Sequence, residues 1–93
     1  MKFKIPKKIN VFGTVYKVKF VETQLFAGLC DSDVKTIFIN IDQSDEQVRV
    51  TFLHEAIHAM QFTLGMHNAI SREMMEMLAE NTATLVMGIL NKK

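Results

Sequence analysis

Residues 44–65 read Ser-Asp-Glu-Gln-Val-Arg-Val-Thr-Phe-Leu-His-Glu-Ala-Ile-His-Ala-Met-Gln-Phe-Thr-Leu-Gly. Ser44 and Gln47 have the spacing of a capping box, and Asp45 and Glu46 fall in the first turn, where a helix dipole favours negative charge. Gly65 suits the helix end, since it adopts left-handed backbone without a Cβ clash. The spacing therefore predicts one helix from Ser44 to about Leu64. Val48, Phe52, Leu53, Ile57, Met60 and Leu64 make it apolar on most sides, so it should be buried between other elements. A single polar seam of Gln47, Thr51, His54, His58 and Gln61, at spacings of four, three, four and three, interrupts that surface. Such a seam on a buried helix reads as one wall of a cleft.

Upstream the period is two. In Thr14–Glu22, Tyr16, Val18 and Phe20 alternate with Lys17 and Lys19, the pattern of a half-buried strand. Ile9–Phe12 is a second short apolar run, with Gly13 as the turn between them. Gly28–Asp33 has turn chemistry, Thr23–Leu29 is ambiguous, and Val34–Ile41 is a third strand rich in β-branched residues. Downstream, residues 66–70 link to Ser71, an N-cap for a last helix from about Arg72 to Leu90. Strands followed by two helices imply an α+β fold with a small, mostly antiparallel sheet of about three strands.

The chain has 93 residues, enough for a single domain over 1–93 with a thin stability margin. At 48% apolar and 23% charged it is too apolar for intrinsic disorder. No apolar run approaches the ~20 residues of a membrane span, and the lysines at the start precede no apolar signal-peptide segment. One cysteine, Cys30, excludes a disulfide scaffold. The expected setting is the cytoplasm, without a membrane partner. Lys2, Lys4, Lys7, Lys8, Lys17 and Lys19 all precede the first acid, Glu22. Their alternation with apolar residues reads as a solvated strand face; a nucleic-acid footprint is the less favoured alternative.

His54-Glu-Ala-Ile-His58 is an HExxH motif. At ~100° per residue the two histidines lie one turn and about 40° apart, so both can reach one tetrahedral zinc ion. Glu55 sits on the flank, badly placed to ligate and well placed to touch a water beside the metal. A zinc ion acidifies such a water and a carboxylate can take its proton, so Glu55 is the candidate catalytic base.

A catalytic zinc site requires a third protein donor. The metzincin continuation is excluded because positions 61 and 64 are Gln and Leu. His67 lies beyond the helix end. Glu73, Glu76 and Glu80 share one face of the final helix, and periodicity alone does not choose among them. Tyr16 is a candidate oxyanion donor or a core residue. The seven methionines, Met74, Met75 and Met77 among them, read as gap-fillers of the core, and Cys30 as incidental.

The chain resembles the zincins, in particular small phage- and mobile-element-encoded HExxH metallopeptidases related to the ImmA/IrrE-like group. The resemblance rests on the Thr51-Phe-Leu-His-Glu-Ala-Ile-His-Ala59 run, on Gly28-Leu-Cys-Asp31 with Lys35-Thr-Ile-Phe-Ile-Asn-Ile41, and on a final helix of form E-x-x-A-E-x-x-A-x-L. It implies a minimal zincin, with Glu76 as third zinc ligand and Glu80 as the alternative ligand or a carboxylate orienting a ligand histidine. It implies hydrolysis of a peptide bond in a protein or peptide substrate. In zincins an edge strand beside the motif helix pairs with the substrate, and here that role would fall on Val34–Ile41. The alternative is a zinc-stabilised binding or regulatory module that contacts a protein or DNA partner without turnover.

Overall fold

The computed structural model describes residues 4–91, so Lys2 of the lysine block lies outside the described residues. The order is β1 (Lys8–Val11), β2 (Thr14–Val21), β3 (Gly28–Asp31), β4 (Thr36–Asn40), α1 (Asp45–Thr63), a 3-10 turn at Met66–Asn68, and α2 (Arg72–Leu90). The fold is α+β. The sheet is mixed and four-stranded, in the order β1-β2-β4-β3. β2 and β4 run parallel; β1 with β2 and β3 with β4 are antiparallel.

This corrects the expected three-stranded, mostly antiparallel sheet at two points. Gly28–Asp31, read as a turn, is a strand: its glycine and aspartate have low strand propensity, yet pairing with β4 supplies the ladder. Val34–Ile41, read as the edge strand, contributes β4, which is interior between β2 and β3. Its residues Ile37 and Ile39 are 0% exposed, as a strand covered on both sides requires. The edge beside the motif helix is β3.

Turn chemistry sets the hairpins. Phe12 and Gly13 both have positive φ, and Asn10 Oδ1 accepts a hydrogen bond from Gly13 N–H at 2.8 Å. Between β3 and β4, Asp31 Oδ1 accepts from the N–H of Asp33 at 3.0 Å, the Asx geometry that reverses the chain.

The helices begin where their caps dictate. Ser44 accepts from Gln47 N–H, Ser71 from Met74 N–H, and Gly65 takes φ 72° just after α1. α1 lies on the sheet, packing Phe52 and Ala59 against Val11, Tyr16, Val18, Ile37 and Ile39. α2 packs on α1 through Met75, Ala79, Ala83 and Met87, its buried stripe. Of the methionines read as core, Met75 and Met87 are buried, while Met74 and Met77 are exposed. No helix among the described residues is long and apolar enough to cross a membrane.

Candidate metal centre

The polar seam of α1 is enclosed rather than solvated. Thr51, Glu55, His58 and Gln61 are all buried, because β3 covers one flank of α1 and α2 the other. A cavity of about 710 Å³ opens along this seam, lined by β3 at Gly28, Leu29 and Cys30 and by α2 at Glu76 and Glu80.

His54, His58 and Glu76 converge there, each offering one donor atom, with all three atoms within 4.8 Å of one another. Glu76 Oε1 is 2.8 Å from His58 Nε2, and its Oε2 is 3.4 Å from His54 Nε2. The opposite ring nitrogens are engaged elsewhere. Glu80 Oε1 lies 3.0 Å from His54 Nδ1, and Gln61 Oε1 lies 2.7 Å from His58 Nδ1. Gln61 Nε2 donates to the Met75 carbonyl at 3.0 Å, which fixes the amide so that its oxygen faces the imidazole.

These partners favour the tautomer that a metal ligand needs. Carboxylate and amide oxygens accept, so both Nδ1 atoms carry hydrogen and donate. In the neutral rings both Nε2 atoms then bear lone pairs, and they face each other at 3.1 Å with a carboxylate beside them. Three electron-pair donors in contact repel, and either a shared proton or a metal cation among them removes the repulsion. A His, His, carboxylate set of this kind suits zinc.

Glu55 stands apart from the donor group. Its carboxyl is pushed up to about 7, chiefly by burial; the nearby His58 works against the rise and Glu76 adds to it. The backbone N–H of Cys30 faces it and favours the charged form. Gly28 makes that approach possible: a Cβ at this position would lie 2.4 Å from Thr51 Cγ2 and 3.0 Å from Glu55 Cγ. Cys30, read as incidental, lines the cavity; burial, with Glu55 and Asp31 nearby, pushes its thiol up to about 12.

The remaining sequence candidates lie elsewhere. Glu73 is exposed in the first turn of α2, outside the donor group. His67 lines the cavity but its ring packs on Phe62, with centroids 5.0 Å apart. Tyr16 is 1% exposed and packed in the core, with its phenol raised by burial. Gln61 reads from the sequence as part of the polar seam and as a break from the metzincin pattern, not as a partner of His58; its spacing of three from His58 was the available signal. Comparison with known proteins returns no matching family, no similar curated protein and no similar solved structure.

Proposed function

We propose that the chain is a zinc-dependent peptidase of minimal zincin type, in which His54, His58 and Glu76 hold the ion and Glu55 carries the proton. The observation that carries this reading is the convergence of the two Nε2 atoms, 3.1 Å apart, on the Glu76 carboxylate. Such a set leaves one side open to solvent and substrate, as hydrolytic zinc sites require. The ion, when bound, polarises a carbonyl and acidifies an adjacent water. Glu55 takes the proton of the attacking water and delivers it to the leaving nitrogen. Glu80 and Gln61 hold the two rings in orientation.

β3 supports a peptide substrate over a small molecule. Ala27 bonds inward, its carbonyl accepting from Asn40 N–H; by strand alternation the Gly28 N–H and C=O and the Cys30 C=O face the free edge, while the Cys30 N–H is turned to Glu55. An extended chain laid there gains main-chain hydrogen bonds with little side-chain preference. The test is metal analysis of purified protein with cleavage of a mixed quenched-fluorescent peptide pool. Wild type should hold about one zinc and cleave; Glu55→Gln should hold the same zinc and not cleave. A wild type that does not take up zinc ends the reading.

The second reading, a zinc-stabilised binding module, is favoured by one observation: the three donors come from α1 and α2, so an ion would clamp the helices together. Full zinc occupancy in both proteins with no cleavage of any peptide would select it.

A further inference from the structure

The face of the sheet turned away from α1 carries a cluster of lysines on β1 and β2, with the Asp31 carboxylate two strands away on β3. Tyr16 and Val18 point inward, so Lys17 and Lys19 point outward, and both are exposed. The strand register sets Lys8 directly across from Lys17, Phe38 across from Lys19, and Leu29 across from Phe38. Exposed Lys4 and Lys7 lie at the entry to β1. Every ion pair among the described residues joins a histidine to a glutamate, so these lysines have no acidic partner. Asp31, the acid on this face, is turned into its own loop, where it accepts from Asp33 N–H, and Glu73, Glu76 and Glu80 are on α2, beyond α1.

Folding alone accounts poorly for this face. Lysines guard edge strands against pairing with other chains, which covers Lys8 on β1. β2 is interior, so the same reason fails for Lys17 and Lys19. Like charges directly opposite in a sheet are destabilising, and Lys8 faces Lys17. An anion along β2 reverses the sign of that contact.

We propose that this face binds a single-stranded nucleic acid, with Lys8, Lys17 and Lys19 on phosphates and Phe38 beneath a base. Lys17 and Lys19 stand about 7 Å apart along the strand, within reach of successive phosphates. Phe38 is half-buried and sits between Lys19 and the exposed Leu29, a flat apolar platform beside a basic row, the combination that holds single strands without sequence preference. A duplex offers the phosphates but keeps its bases stacked on each other. An anionic bilayer offers charge and no base.

The test is fluorescence anisotropy of the full chain with labelled oligothymidylate. Raising salt from about 50 to about 200 mM should weaken binding about 20-fold, the slope for three phosphate contacts on a single strand. Lys17→Glu with Lys19→Glu should weaken binding at least ~10-fold and flatten the slope, while keeping wild-type melting temperature and zinc content. Phe38→Leu should weaken binding and leave the slope intact. Glu55→Gln should bind as wild type, which separates this face from the metal centre. Undetectable binding at low salt, an unaffected lysine double variant, or equal affinity for an adenylate–thymidylate duplex would each overturn the proposal. So would binding to phosphatidylserine vesicles with none to the oligonucleotide.

Discussion

Gly28 is the point at which β3 comes closest to the motif helix, and its missing side chain is what allows the approach. An added methyl group would lie 2.4 Å from Thr51 Cγ2 and 3.1 Å from Glu55 Oε2, so either the strand or the carboxylate must move. Gly28→Ala is expected to cost about 1–3 kcal/mol, as overpacking does, and to reduce hydrolysis while zinc content stays at wild type. Loss of zinc together with activity would place Gly28 in general stability instead. Glu55 itself should leave a mark on the metal-free protein. Its folded carboxyl is raised from 4.5 to about 7, so between those values the folded state binds more protons than the unfolded. Its contribution to stability is thus complete at acid pH and lost as pH rises through the folded value. With chelator present, Glu55→Gln should gain stability relative to wild type from about pH 5 to about pH 8, read as a widening gap in denaturant midpoints. A constant gap contradicts the buried carboxyl. Among the donors, Glu76→Ala should weaken zinc binding most. Glu80→Ala and Gln61→Leu, each removing a partner of an Nδ1 atom, should cost about 10–100-fold. Competition against a zinc chelator ranks the three, and a metal-free Glu80→Ala would exchange the roles of the two glutamates.

The element that sets the geometry of the centre is α2, through residues that touch no donor atom. Ala79 and Ala83 are 0% exposed; their small side chains let the two helix axes approach, and that brings Glu76 and Glu80 level with the histidines. Ala83→Leu should therefore destabilise the fold by about 1–3 kcal/mol and weaken zinc binding as well, although it lies two turns from Glu76. Unchanged metal affinity in a destabilised Ala83→Leu protein would show that the donors adjust independently of helix spacing. The helices were legible because their boundaries are local chemistry: Ser44 and Ser71 cap where their hydroxyls can reach N–H groups three residues on, and Gly65 takes the left-handed turn. β3 was not. Gly28-Leu-Cys-Asp31 contains no β-branched residue and is four residues long, so only pairing with β4, a contact outside the segment, makes it a strand.

On the scale of the whole molecule, three layers of sheet, α1 and α2 are held by a core that joins the sheet to α1, and the candidate centre ties α1 to α2. An ion at free concentration 100 times its Kd contributes about 2.7 kcal/mol. In a chain of this size that raises the melting temperature by about 10 °C or more. Adding chelator at neutral pH should reverse the gain, and coincident melting curves would show that no ion links the helices. The amino-acid sequence by itself determined the α+β class, both helices with their caps, and the placing of His54, Glu55 and His58 on one buried helix. Each of these follows from periodicity and short-range hydrogen bonding within a single element. Only the tertiary structure decided that β4 is interior and β3 the edge, that Glu76 meets both Nε2 atoms, that Gln61 and Glu80 hold the rings, and that Lys8 faces Lys17. A repeating pattern states which way a side chain points from its own helix or strand. Which neighbour it meets there depends on packing between residues far apart in the chain.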